Sequence, residues 1–396
     1  MNEDSFVVPE FKASAVSAGL KKDGGLDMAL IYCNVKAVAA GVFTTNRVKA
    51  APVLVSMEHI EAGKARAIIA NSGTANACTG TRGMSDARET ASLVAKEIGA
   101  SPQDVLVCST GVIGLPLDME KVKAAVPKLV TGLSDKGFRR AAEAIMTTDT
   151  FPKLAYREGR SGGKPYKVLG MAKGAGMIMP NMATMLGFIL TDIKIDQETL
   201  SKSLLWAVDR TFNRITVDGD TSTNDTVLAM ASGMAGNGPL SNSDKKILRE
   251  ILKEVTGELA LMIVKDGEGA TKTVKVRVKG APDQDSALIA ARTVANSLLV
   301  KTALYGNDPN WGRIMAALGR SGIEMQVNRV DIYIDDIRIV SGGLGTGKGE
   351  EAKAAEIMKR DSYSLVIDLN RGAYEDQVWT CDISHEYVSI NAEYRT

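Results

Sequence analysis

The chain has 396 residues, 45% of them apolar and 24% charged, enough to bury one large core or two ordinary ones and unlike a disordered chain. Lys and Arg number 48 against 47 Asp and Glu, a formal net charge of +1, so nothing electrostatic points to nucleic acid or an acidic membrane as a partner. No apolar run approaches the ~20 residues of a membrane span, and the acidic start MNEDSFVVPEF lacks a signal core. The 4 cysteines (Cys33, Cys78, Cys108, Cys381) stand far apart, with no CxxC pair and no disulfide pattern. A cytoplasmic protein is expected.

Beta-like runs alternate with helical patterns along the chain. ARAIIANSG (65–73) reads as a buried strand ending in a turn. Residues 85–99 place Ala87, Ala91, Val94 and Ala95 at helical spacing and stop at Gly99. VLVCSTG (105–111) is a short apolar strand, and helical patterns cover 118–130 and 137–147. REGRSGGKPY (157–166), polar and glycine-rich, reads as a surface excursion. KVLGMAKGAG (167–176) leads to MLGFILTD (185–192), a buried strand. Helical periodicity returns at 197–209 and 244–264. TKTVKVRVKG (271–280) alternates with period 2, as a half-buried strand does. VDIYIDDIRIV (330–340) and SYSLVIDLN, ending at Asn370, read as late strands. The predicted class is α/β, mixed sheets layered with helices.

Two motifs mimic known sites. Gly342 to Lys348 has the GxxxxGK spacing of a phosphate loop, but Gly349 stands where the magnesium-binding hydroxyl belongs. A non-catalytic nucleotide-binding protein is therefore the weaker alternative. Gly159-Arg160-Ser161-Gly162-Gly163 fits GxSxG without the buried strand that a nucleophile elbow requires. Only 2 histidines occur, His59 and His385, which removes HExxH and His-rich metal chemistry. A proton carrier other than imidazole is expected.

The unusual stretch is MAKGAGMIMPNMATMLGFILTD (171–192), where methionines and glycines crowd ahead of Ala183-Thr184. Methionine alone can simply fill an irregular core. A threonine at a loop-to-strand junction, after a small residue, offers a second reading. Its hydroxyl can attack the Ala183 carbonyl, and water can cleave the resulting ester. The new terminus then carries a hydroxyl beside an α-amine whose ordinary pKa is ~7.7–8.0. Such an amine accepts the hydroxyl proton at neutral pH without a histidine.

GVFTTNRVKAAPV (41–53), NSGTANACTG (71–80), CSTGVIG (108–114), IMTTDT (145–150), MAKGAGMIMPNMATML (171–186), DGEGATK (266–272), YGNDPNWGRI (305–314) and INAEYRT (390–396) span nearly the whole chain. In them the sequence resembles the ornithine acetyltransferase family, the glutamate N-acetyltransferases of arginine biosynthesis. The resemblance implies a self-cleaving sandwich like that of N-terminal-nucleophile enzymes, cut between Ala183 and Thr184. An α fragment, 1–183, would carry the oxyanion hole, and a β fragment, 184–396, would begin with the nucleophile. These are cleavage products rather than independent domains.

By the same resemblance Thr184 is nucleophile and base, and Thr110 and Gly111 form the oxyanion hole. Thr147, Lys173, Thr184, Glu268, Asn391 and Thr396 bind substrate, and the neighbouring Thr148 and Thr150 leave the choice within TTDT open. The reaction implied is a ping-pong transfer of acetyl from N2-acetyl-L-ornithine to L-glutamate, with no metal and no cofactor. Some members also accept acetyl-CoA, which makes it a candidate co-substrate. An α2β2 heterotetramer is the expected assembly. A self-cleaving aminopeptidase of the same fold is the rival; those enzymes use serine at the junction, where this chain has Thr184. A non-catalytic interaction protein, with Thr184 an ordinary strand residue, is the third reading.

Overall fold

In a computed structural model, residues 6–179 and 185–393 are described; Ala183, Thr184 and Thr396 lie outside them. The chain folds as two compact units. One comprises the residues up to Asn213 together with Asp220–Ile263, the other Arg214–Gly219 together with the chain from Val264 on. The strands, in chain order, are β1 Phe11–Val16, β2 Met28–Phe43, β3 Lys64–Asn71, β4 Val105–Ser109, β5 Lys153–Ser161, β6 Lys164–Lys173, β7 Leu186–Thr191, β8 Ile215–Thr216, β9 Thr226–Ala231, β10 Thr273–Ala281, β11 Asp331–Ile334, β12 Ile337–Ser341, β13 Leu344–Gly345, β14 Ser362–Asp368 and β15 Tyr374–Cys381. The α/β class with mixed sheets and covering helices is the one expected.

The first unit is built on an 8-stranded sheet in the order β4-β3-β2-β9-β7-β6-β5, with β1 lying along β2. β3 and β4 run parallel, as do β7 and β9. A register shift between Tyr32 and Ala37 bends the long β2. Its first half then pairs with β1 and β3, its second with β9. Side chains alternate across the sheet. Ile31, Ile68, Leu106, Met171, Phe188 and Leu228 gather on one face with Phe138 and Ala141 of the helix Phe138–Ala144. On the other, Leu30, Ile69 and Val107 pack against Ala91 and Val94 of the helix Gly80–Ile98 and Leu129 of the helix Met119–Thr131. Gly99 ends the former in the left-handed region, as its sequence predicts.

The stretch 157–166 differs from its prediction. It is the tip of a hairpin, β5 and β6 pairing from Lys153↔Ala172 to Ser161↔Lys164. Gly162 and Gly163 close it with φ of +55° and +78°. Two successive left-handed residues match the twist of antiparallel strands, and glycine adopts them at least cost. The segment looks polar because Glu158 and Arg160 of the tip are exposed. Ser161 is thereby a buried strand residue, not a nucleophile.

The second unit carries a 7-stranded sheet, β13-β12-β11-β14-β10-β15-β8. Ala287, Ala290, Ala291 and Val294 of the helix Gln284–Ala295 cover Val274, Val276 and Val278 of β10. The predicted strand 330–340 is two strands, reversed at Asp335-Asp336 with Asp335 at φ +49°. Asp tolerates that conformation better than most residues, so the turn needs no glycine to announce it. Gly342–Lys348 is spent on the β12–β13 hairpin and the start of the helix Lys348–Met358, which leaves no phosphate loop. No single helix among the described residues is long and apolar enough to cross a membrane.

Candidate active site

β3 and β4 end side by side, with Asn71 opposite Ser109. The loops that follow are stitched together. The Thr110 amide donates to the Asn71 carbonyl at 2.9 Å and the Ala75 amide to the Val112 carbonyl at 3.0 Å. Ser109 Oγ donates to Asn71 Oδ1 at 2.6 Å. Asn224, just before β9, donates through Nδ2 to the Ala75 and Ser109 carbonyls at 2.6 and 2.8 Å. These bonds satisfy buried polar groups and fix the platform carrying Thr110 and Gly111. Gly111 has φ +127°, and a Cβ there would lie 2.4 Å from the Gly73 carbonyl carbon. Only glycine fits both the backbone and the close approach.

Lys173 ends β6, and its side chain is buried rather than solvated. Its Nζ donates to Thr147 Oγ1 at 2.7 Å and to Thr110 Oγ1 at 3.3 Å. Three predicted site residues, distant in sequence, thus meet at one ammonium.

Two further residues hold this cluster, and sequence reading did not single out either. Asp149 is buried between the helix Phe138–Ala144 and β5. It accepts from the Thr147 amide at 3.0 Å, the Gly174 amide at 2.6 Å and Lys153 Nζ at 2.7 Å. Lys173 Nζ stands 3.9 Å from its second oxygen. Lys153, at 0% exposure, also stacks over the Phe151 ring at 4.8 Å. A lysine opening a strand and an acid four residues before it look in sequence like two solvated charges.

Burial pushes the Asp149 carboxyl up, but the Lys173 and Lys153 ammoniums and the Thr147 amide outweigh it and hold the pKa at about 2. A depressed carboxylate stabilises the fold above the unfolded-state pKa of ~3.9, and that stabilisation disappears as pH falls through the folded value. Asp149 therefore contributes on the order of 2 kcal/mol at neutral pH, lost between about pH 4 and about pH 2. Urea midpoints across this range should drop in the wild type, with a shallower drop in Asp149→Asn.

Asp225 behaves oppositely. Burial drives its carboxyl well above the ordinary range, opposed more weakly by the Met185 amide and the Lys173 charge. No hydrogen bond of acceptable geometry reaches either oxygen among the described residues.

Glu268 and Asn391 belong to the second unit. Glu268 is buried just past the helix Asn242–Lys265, and Asn391 Nδ2, on the helix His385–Glu393, donates to its Oε2 at 2.8 Å. Ser384 Oγ donates to the Gly269 carbonyl at 2.6 Å, docking the approach to that helix on the same loop. These two predicted residues are therefore partners of each other. Buried His59 is bonded through Nδ1 to the Val105 carbonyl at 2.8 Å. His385 meets the Tyr305 ring edge-on at 6.0 Å. Among the described residues no three His, Cys, Asp or Glu side chains converge as a metal site.

The ArgJ family profile matches residues 12–396. The chain belongs to the ArgJ family. It is similar to the arginine biosynthesis bifunctional protein ArgJ of Geobacter sulfurreducens, 53% identical over 98% of this chain and 100% of that protein. The ArgJ protein of Thermotoga neapolitana is 45% identical over 99% and 100% of the two chains. A solved structure of the ArgJ protein from Bacillus halodurans is 43% identical, with a TM-score of 0.51, over 53% of this chain and 100% of that one. The resemblance to the ornithine acetyltransferases is borne out. Membership in the ArgJ family sets aside the aminopeptidase, the nucleotide-binding protein and the non-catalytic interaction protein.

Proposed function

We propose that this member of the ArgJ family cuts itself between Ala183 and Thr184. Thr184 then carries acetyl from N2-acetyl-L-ornithine to L-glutamate, releasing ornithine and N-acetylglutamate. The observation that carries the reading is the meeting of Lys173 with Thr110 and Thr147 at the end of β6. Lys173 is paired with Leu186 across the ladder to β7. Thr184 stands two residues before Leu186 in sequence.

The chemistry follows from the groups available. The Thr184 hydroxyl adds to the Ala183 carbonyl, the C–N bond breaks, and the acyl group moves to oxygen as an ester. Water hydrolyses the ester, leaving the Ala183 carboxylate and a free Thr184 amine. That amine takes the hydroxyl proton as Thr184 attacks the acetyl carbonyl of acetylornithine. The Thr110 hydroxyl and Gly111 amide stabilise the tetrahedral oxyanion, a contribution of ~3–4 kcal/mol to the barrier. Ornithine leaves with the proton, glutamate enters, and its amine accepts the acetyl group through the reverse steps. Lys173 meets the substrate carboxylate. By the family resemblance Glu268 serves the ornithine side-chain ammonium, and Asn391 and Thr396 also bind substrate. An amide is exchanged for an amide, so no ATP, metal or cofactor is needed. Acetyl-CoA serves as a second donor to glutamate, the enzyme works in the cytoplasm, and the fragments assemble as α2β2.

Incubating the purified protein with acetylornithine and glutamate should give N-acetylglutamate and ornithine in equal amounts; none from cleaved protein would reject the reading. A parallel assay with acetyl-CoA in place of acetylornithine tests the second donor. Replacing Glu268 by Gln should raise KM for acetylornithine about tenfold, the cost of one charge-assisted contact. An unchanged KM would remove that role. The cut at 183–184 separates β6 from β7 and β2 from β9, which are paired neighbours in one sheet. Both fragments should therefore co-elute on native size exclusion and separate only in denaturant.

A further inference from the structure

We propose that Asp149 is a positioning residue for the oxyanion hole, acting through Lys173 on the Thr110 hydroxyl. The inference rests on the acetyl-transfer reading and deepens it. An ammonium has donors only, whereas a hydroxyl has one proton to give and lone pairs to receive with. Lys173 Nζ lies 3.3 Å from Thr110 Oγ1 and 2.7 Å from Thr147 Oγ1. While Lys173 is charged, neither hydroxyl can donate to it, so both protons must point elsewhere. For Thr110 the acceptor in need of a proton is the oxyanion, and the adjacent positive charge makes that hydroxyl a stronger donor. A neutral amine would accept instead. Thr110 would then turn its proton toward Lys173 and the hole would lose a donor.

Lys173 must therefore keep its proton in a buried place, which desolvation opposes. The groups that face it pull in different directions. Lys21 and Lys173 repel one another electrostatically. Lys153 adds a further cation, bonded to Asp149. Asp225 also sees Lys173, but burial disfavours its charged form. Asp149 supplies the opposing charge, 3.9 Å from Lys173 Nζ. It also fixes both ends of the arrangement by accepting from the Thr147 and Gly174 amides. Lys153 donates to Asp149 Oδ1 and, with Lys173, favours its ionised form.

The test compares wild type, Asp149→Asn and the double variant Asp149→Asn/Lys153→Met, with rates normalised to the chain whose fragment begins at Thr184. Asp149→Asn should lower kcat ~100-fold, the size of losing an oxyanion donor, and raise KM for acetylornithine where Lys173 has lost the charge that pairs with the substrate carboxylate. The alkaline limb of its kcat profile should move to lower pH. The single variant takes the carboxylate away from the buried Lys153 ammonium and will lose thermal stability. The double variant removes that charge and should recover the melting midpoint, yet stay ~100-fold slow with the displaced limb. Recovery of kcat and pH profile along with the midpoint would show a merely structural role and overturn the inference. So would an Asp149→Asn enzyme with wild-type kcat and pH profile. Cleaved wild type that makes no N-acetylglutamate would overturn the acetyl-transfer reading itself, and this inference with it.

Discussion

Replacing Thr184 with alanine is expected to yield one uncut chain of 42.1 kDa and to abolish acetyl exchange. The substitution removes the hydroxyl that attacks in both reactions, and with no cut the α-amine that serves as base is never released. Loss of a covalent nucleophile with its base costs on the order of 10⁴–10⁶-fold in kcat. Thr184→Ser keeps a hydroxyl at the same position and should still cut and still exchange, more slowly. Denaturing electrophoresis reads the first effect, and the assay for N-acetylglutamate reads the second. Mass spectrometry of the smaller pieces should find one beginning TMLGF. An active preparation made only of unbroken chains would remove the nucleophile from the scheme.

The second large effect is expected at Thr110. Thr110→Val keeps the shape of the side chain and deletes the hydroxyl. With one of two oxyanion donors gone, kcat should fall ~10²–10³-fold. KM should change little, because the lost interaction exists only once charge has developed on the oxygen. Thr110→Ser retains the donor and should stay within about tenfold of wild type. The valine also removes the Thr110 acceptor from Lys173, so the thermal midpoint of each variant should be measured alongside. A valine variant as fast as the serine variant would mean that the Gly111 amide stabilises the oxyanion without help.

Much of the fold is legible in the residues because burial imposes a period. The helix that ends at Gly99, the buried strands at 105–111 and 185–192, and the period-2 strand at 271–280 all appear where their apolar spacing puts them. The misread segments share a cause. The tip of the β5–β6 hairpin is polar because strand residues there face water, and its turn glycines imitate a loop. VDIYIDDIRIV looks continuous because both strands of its hairpin are apolar and the reversal uses two aspartates. The long β2 went unread, since a register shift lets one run of residues serve three neighbours.

The candidate site divides along the same line. Thr110, Gly111, Thr147, Lys173 and Glu268 are recognisable as motif residues, and the need for glycine at position 111 is local backbone geometry. Sequence alone determined the class of fold, the family, and which short stretches carry the chemistry, because these depend on residue type and spacing along one dimension. Tertiary structure decided that Lys173 is a buried donor to Thr110 and Thr147, that Asp149 and Lys153 stand behind it, and that Asn391 partners Glu268. Those facts depend on which strand ends adjoin and on how far water is excluded. A charge 24 residues from another in sequence has no meaning for its neighbour until the β5–β6 hairpin brings Asp149 and Lys173 together, both buried.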